Sequence, residues 1–371
     1  MSRILFIGAL AAAAFALGCG RSNAMPPFAQ AYGVNCTVCH TEVPGLNAYG
    51  RYVQRTGYAA LDPHVLKRSL PLWFGWNPSY DSNNQPPRLQ NGNVAFHAIG
   101  GIANNDWTFH IQQWITQNNQ PGTLDTAWVS YNNLFNRSGH LFFGKIEAPG
   151  PSPWSQWMDL ANFAPPQIVV GEHTYDLAVN RWGTRFSYVR NAIDAEVGWL
   201  GSSAGIGGSS DFANDTDKTV QWKLTDANPN YPLELGYYGA RGSFPLPEGG
   251  TDRFYANGIY AQRDPNRGVP GVLFMYQTAF DGNAGGGAGP AASNAATLEL
   301  YEPLFKQRAV VTARREFTND GLGNLTQFGN VDFEYHLARF VHVYVETYLQ
   351  SHQKPGYRYM LWWTTPLSSV K

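Results

Sequence analysis

From Leu70 to the C-terminus the chain alternates apolar and polar residues with a period of two. In VDFEYHL, residues Val331, Phe333, Tyr335 and Leu337 share one parity, and Asp332, Glu334 and His336 share the other. VHVYVETYLQ sets Val341, Val343, Val345 and Leu349 against His342, Tyr344, Glu346 and Gln350. WTFHIQ divides Trp107, Phe109 and Ile111 from Thr108, His110 and Gln112, and TVQWKL divides Val220, Trp222 and Leu224 from Gln221 and Lys223. Segments of this kind are strands with two chemically different faces. The pattern predicts 16 of them, at 70–81, 92–103, 107–116, 124–133, 139–147, 181–190, 192–201, 218–225, 233–242, 251–263, 270–280, 295–302, 307–317, 326–337, 341–351 and 356–366. An even strand number is what single-chain bacterial outer-membrane barrels use.

The connections supply a second test. With a periplasmic N-terminus, odd-numbered connections are external and long, and even-numbered ones are tight turns. The fifth connection, 148–180, is the longest, and the seventh, 202–217, and eleventh, 281–294, are also long. The second (NND), sixth (near Asn191), twelfth (PLFK) and fourteenth (near Arg339) are tight.

Alternation does not say which face points inward. A large secreted β-sandwich would hide its apolar face, whereas a barrel turns it to lipid and lines a polar lumen with Arg314, Asp332, Glu334, His336 and Glu346. Aromatic residues near strand ends, such as Trp73 and Trp76 or Trp362 and Trp363, favour the interfacial girdles of a barrel over ordinary core aromatics. The terminal SSVK lacks the final aromatic residue that many outer-membrane barrels carry.

Composition agrees with a strand-rich chain, since the 371 residues include 12 Trp, 20 Tyr and 39 Gly. A formal net charge of -1, with 14% of residues charged, excludes the basic footprint of a nucleic-acid binder. Residues 1–24 read as an export signal, with Arg3, the apolar run ILFIGALAAAAFALG and the small residues Ser22-Asn23-Ala24 before Met25. Cys19 also permits a lipoprotein reading, although Ala16 stands where lipoprotein signals usually carry Leu. No later run of 18 apolar residues offers a transmembrane helix, so periplasm, outer membrane or exterior are the compartments left.

Export leaves two cysteines, Cys36 and Cys39, followed at once by His40 in NCTVCHTE. In an exported chain, C-x-x-C-H is the signature of one covalently attached haem c. The two thiols on one turn reach the two vinyl groups of the same porphyrin, and the adjacent imidazole is then held against its iron. A thioredoxin-like pair lacks its surrounding βαβ pattern, and a zinc site lacks a second cysteine pair. The distal iron position stays open between Met25, His64 and water. The remaining histidines, at 97, 110, 140, 173, 336, 342 and 352, read as polar-face residues with no role at the iron.

The chain therefore divides into a signal (1–24), a haem c segment (25–69) and a porin-like barrel (70–371). Over residues 25–58, FAQAYGVNCTVCHT, LNAYGR and TGY resemble the opening of the fused outer-membrane cytochrome–porin family of iron-oxidising bacteria. Beyond residue 70 the resemblance is one of architecture alone. It implies covalent haem on Cys36 and Cys39, His40 as proximal ligand, and a 16-stranded barrel sheltering the haem segment within or beneath its pore. It further implies electron transfer from an extracellular donor, with Fe(II) the expected one, to a periplasmic c-type cytochrome, as an Fe(II) oxidase or electron carrier set in outer-membrane lipid. Asp332 and Glu334 are candidates for weak attraction of the metal cation, against their reading as a hydrated pore lining. The family has relatives outside iron-oxidising bacteria, so a conduit for another donor stays open, as do a diffusion porin with a haem-bearing plug and a soluble cytochrome with a sandwich partner.

Overall fold

A computed structural model of the chain describes residues 28, 32, 36–41, 45–64, 72–84, 89–117, 120–150, 167–171, 173–177, 179–201, 218–227, 233–245, 250–266, 268–285, 288–338 and 340–366. The signal-like stretch with Cys19, Met25, and the final residues 367–371 lie outside them.

Sixteen long strands follow one another in chain order: β1 (Leu72–Asp81), β2 (Leu89–Ile102), β3 (Trp107–Gln117), β4 (Leu124–Leu134), β5 (Gly139–Ile146), β6 (Arg181–Arg190), β7 (Ile193–Gly201), β8 (Lys218–Asp226), β9 (Leu233–Pro245), β10 (Thr251–Arg263), β11 (Gly271–Asp281), β12 (Ala291–Leu304), β13 (Ala309–Asn319), β14 (Leu325–Ala338), β15 (Val341–Gln350) and β16 (Gly356–Pro366). Each pairs antiparallel with its sequence neighbours, and β16 returns to pair antiparallel with β1, in a register that sets Trp76 opposite Trp363. Closure removes both sheet edges, so every barrel strand has a partner on each side. A two-residue ladder at Gln120–Pro121 tightens the connection after β3, and a separate hairpin, Gln167–Val170 with His173–Asp176, belongs to the fifth connection.

The two faces settle what alternation left open. Outward residues such as Val331, Leu224 and Trp199 are 50%, 54% and 61% exposed, while Asp332 and Lys223 beside the first two, and Glu196 on the same strand as Trp199, are buried inside the cylinder. This is the inverse of a soluble sandwich. A continuous exposed apolar belt around a polar, ion-paired interior is stable only where hydrocarbon covers the belt. No helix among the described residues is long and apolar enough to cross a membrane; the strands do the crossing.

Trp107 and Trp363 stand outward near one rim, and Trp182 and Trp199 near the other, as interfacial anchors do. Trp73 departs from the girdle expectation. It is 6% exposed, turns into the lumen and stacks on His97 with ring centroids 4.1 Å apart, because the pleat gives it the opposite parity to Trp76.

The turns sort by end. Three short connections at one rim adopt successive left-handed residues, Ala103–Asn104–Asn105, Phe135–Asn136–Arg137 and Phe305–Lys306–Gln307. Positive φ matches the twist of a tight hairpin, and the flanking ladders hold even Phe and Lys there against a cost of about 1 kcal/mol per residue. The fifth connection, at the opposite rim, folds into the barrel. Gln221 Nε2 donates to Pro149 O and Leu177 O, Gly171 N donates to Asp320 O at 2.9 Å, and Val170 and Leu177 pack on inward Tyr238, Ala240, Phe254 and Met275.

Candidate functional site

At the short-turn rim the barrel is filled by its own N-terminal segment. Helix α1 (Ala48–Arg55) begins at Asn47, whose Oδ1 accepts the Gly50 N–H at 3.0 Å. It ends where Gly57 and Tyr58 take left-handed φ of 56° and 65°, with the Tyr58 N–H closing on Val53 O at 3.0 Å. At Gly57 a β-carbon would meet the Phe142 ring at 2.9 Å, so both conformation and space call for glycine.

Arg51 and Arg55, one turn apart on α1, form a single face toward the wall. Arg51 Nε lies 3.0 Å from Glu234 Oε2, and its Nη1 lies 3.1 Å from Asp264. Arg55 Nε lies 3.0 Å from Asp194 and also pairs with Glu234. Lys223 bridges Asp194 and Glu196 at 3.0 and 2.5 Å, Arg185 approaches Glu196 at 3.5 Å, and Tyr260 donates its hydroxyl to Glu234 at 2.9 Å. Asp264 Oδ2 also accepts the Ala48 N–H at 2.8 Å, placing a carboxylate at the helix start where the peptide dipoles favour it. These pairs join four cations to four carboxylates, which is how charges this deep are tolerated.

The rest of α1 and its tail is equally tied. Gln54 donates to Glu147, Ser187 to Arg55 O, Thr108 to Gly57 O and Asn105 to Leu61 O, at 2.8, 3.1, 2.6 and 2.8 Å. Tyr58 stacks on Trp128 with centroids 5.5 Å apart and touches Phe28 and His110. The segment is thus a plug bound to the wall from β3 round to β10.

The cysteine motif rides on this plug. Cys36–Val38 forms one 3-10 turn, in which Cys36 O accepts from Cys39 N at 3.0 Å and from His40 N at 2.9 Å. Asn47 Nδ2 donates to both Thr37 O and Val38 O at 3.1 Å, clamping the turn onto the start of α1. The Cys39 carbonyl presses on Gly50, where a β-carbon would collide with it. Cys36 and His40 are buried, at 6% and 8% exposure, and Cys39 is half-buried; neither thiol is in a disulfide. Burial pushes the Cys39 thiol up to about 11.

Of the two distal candidates, His64 is exposed and capped at its N–H by Asp62 Oδ1, and Met25 is outside the described residues. The structure instead brings histidines from the wall against the plug: His110 Nδ1 lies 3.4 Å from the Tyr58 hydroxyl, and His97 stacks beyond it. His97 Nδ1 and His110 Nε2 are buried without a hydrogen-bond partner. In the sequence both sit at ordinary polar-face positions, and nothing near them marks a site.

Two further sets of side chains meet within the lumen. His173, from the infolded connection, approaches Asp281 at 2.7 Å and Asp252 at 3.8 Å near the long-loop rim. Glu334 and His336 of β14 meet His342 of β15 near the short-turn rim. Neither grouping is visible as a motif, because each joins residues from different strands or from a strand and a loop.

No protein-family model matches the chain, and neither does any curated sequence. Its backbone is similar to solved outer-membrane barrels. The chain aligns over 79% of its length with 98% of a loop L8 deletion mutant of OmpT, an outer membrane protein of Vibrio cholerae, at TM-score 0.58 and 10% identity. It aligns over 80% with 99% of an anion-selective porin from Comamonas acidovorans, at 0.57 and 11%, and over 80% with 96% of the outer membrane channel DcaP of Acinetobacter baumannii, at 0.51 and 12%. The fold is a closed 16-stranded antiparallel porin barrel of the bacterial outer-membrane type.

Proposed function

We propose that this barrel is an outer-membrane electron-transfer protein whose lumenal plug carries one covalent haem c on Cys36 and Cys39, with His40 as proximal ligand. Electrons pass from an extracellular donor, Fe(II) on the resemblance of residues 25–58, toward a periplasmic c-type cytochrome. The observation that carries the reading is that the C-x-x-C-H turn sits on a segment anchored inside the barrel by buried ion pairs. A bilayer core ~30 Å thick separates donor from acceptor, and a redox centre within a protein-walled hole shortens both distances.

The donor set fits the group. Both thiols are outside any disulfide and lie on one turn, and His40 follows on the same turn. A thiol held protonated up to about 11 is unlike the thiolate that a redox-active cysteine pair needs near neutrality. Bound there, haem c would supply a one-electron couple. The chain's own part is to bind and position it: Asn47 fixes the turn, Gly50 lets the turn approach α1, and the ion pairs of Arg51 and Arg55 keep the plug seated against water entry.

Haem staining of a denaturing gel and the Soret band of the purified protein test the reading. The wild type is expected to stain, and a Cys36→Ser/Cys39→Ser double variant to lose the covalent stain while keeping the barrel. An unstained wild type matured in a cytochrome c-competent host overturns it. For the electron path, a reductant unable to cross the membrane should bleach the oxidised spectrum in intact cells. The porin fold favours a second reading, a diffusion channel with a haem-bearing plug. A large stable conductance of the haem-loaded protein in a planar bilayer would select that reading, and a closed barrel the first.

A further inference from the structure

The inner wall carries a grouping that neither the plug nor the haem motif uses. β14 and β15 are joined by a connection of two residues, 339–340, and pair in a register that sets His336 directly opposite His342. Glu334, two positions before His336, shares its inward face by the pleat. All three are buried, their side chains 1–3% exposed.

The donor atoms converge. Glu334 Oε1 lies 3.1 Å from His336 Nε2 and 2.8 Å from His342 Nδ1, the two imidazole centroids are 4.6 Å apart, and one ligand atom from each residue falls within 4.8 Å of the others. Bonds of about 2.1 Å at a tetrahedral centre put ligand atoms ~3.4 Å apart, close to the spacing found. Tyr344 donates its hydroxyl to Glu334 Oε1 at 3.1 Å, fixing the carboxylate as outer-shell partners of metal ligands do.

An independent observation points to a missing ligand. The Nδ1 of His336 has no hydrogen-bond partner among the described residues, and its Nε2 meets only Glu334 Oε1 at 3.1 Å, although the residue is 93% buried. A buried imidazole left in that state costs free energy unless something else meets it. The hydroxyl of Tyr344 and the Nδ1 of His342 are directed at Glu334, so neither relieves it. The same wall is acidic beyond the trio, with Asp332 and Glu346 opposite one another one pleat repeat further along.

We infer that Glu334, His336 and His342 form a binding site for one divalent first-row transition-metal ion. Two imidazoles and one carboxylate suit zinc-like or iron-like ions rather than calcium or magnesium. Three protein ligands leave a coordination position for water or an exchangeable ligand, as in sites where a metal acts or passes rather than only bracing the fold. The site stands on the barrel alone and does not depend on haem at Cys36 and Cys39.

The test is Zn²⁺ uptake by detergent-purified, chelator-stripped full-length protein, read by calorimetry and by metal analysis after gel filtration. The wild type is expected to take up one Zn²⁺ per chain at this site, with the Soret band unchanged. Removing an outer-shell partner alone typically costs 10–100-fold, so His336→Ala and His342→Ala should each weaken this uptake at least about tenfold. Glu334→Gln, which preserves volume, should do likewise, and heat-modifiable gel migration shows whether each variant keeps its barrel. An Asp252→Asn/Asp281→Asn variant at the other lumenal grouping should leave the uptake intact. No uptake by the wild type, equal uptake by folded His336→Ala and His342→Ala, or its loss in Asp252→Asn/Asp281→Asn would overturn the assignment.

Discussion

Glu234→Gln is the most direct probe of how the plug is held. Glu234 accepts from Arg51, Arg55 and the Tyr260 hydroxyl, all buried, and the named ion pairs around it balance four cations with four carboxylates. The substitution keeps volume and removes one negative charge, so a net positive charge is left in a site with little water. Removing one partner of a buried pair costs about 3–5 kcal/mol, and Arg51 and Arg55 retain Asp264 and Asp194, so the lower end applies. About 3 kcal/mol shifts the ratio of seated to unseated plug roughly 150-fold. Two assays read that ratio: the frequency of open-channel events in a planar bilayer, and the rate of tryptic cleavage after Arg51 and Arg55. Both should rise together, and Arg55→Gln in the same chain should restore neutrality and recover part of the loss. Unchanged channel openings with unchanged protease resistance would refute the claim that these pairs seat the plug.

The outward face supplies a second expectation. Val331→Lys places a charge where the residue is half exposed midway along β14 and should cost about 2–4 kcal/mol of barrel stability, measured by denaturant unfolding in lipid bilayers. Tyr58→Ala removes a fully enclosed ring from its stack on Trp128, with a cost of about 3–5 kcal/mol to plug seating seen as a change in tryptophan fluorescence and faster proteolysis. In folded protein prepared without haem, Cys39 has its thiol raised to about 11 by burial, so it stays protonated between its ordinary value and that pH. Its alkylation should lag that of the unfolded chain over this interval and catch up only as the pH passes about 11.

Much of the barrel was legible because lipid outside and charge inside produce the same period-two contrast that any two-faced strand carries. Strands at 181–190, 251–263 and 356–366 appear with the expected bounds. β12 begins earlier than its pattern suggested, at Ala291, because small residues in AASN carry little contrast but still pair with β11. β9 extends to Pro245, beyond the glycine and serine that weakened its pattern, because β10 pairs along its full length. His336 and His342 could have been found by counting back from the tight turn near Arg339, since a short hairpin fixes register.

The local chemistry of Cys36, Cys39 and His40 and the strand count were properties of the chain read in order, since each rests on residues a few positions apart. Which face met lipid, and what filled the lumen, depended on closure. Period two distinguishes two faces without naming the inner one, and only β16 joining β1 gives the cylinder an inside. The salt bridges from Arg51 and Arg55 to Glu234 span 183 and 179 residues. No spacing rule connects positions so far apart; the curvature of a closed sheet brings them within reach.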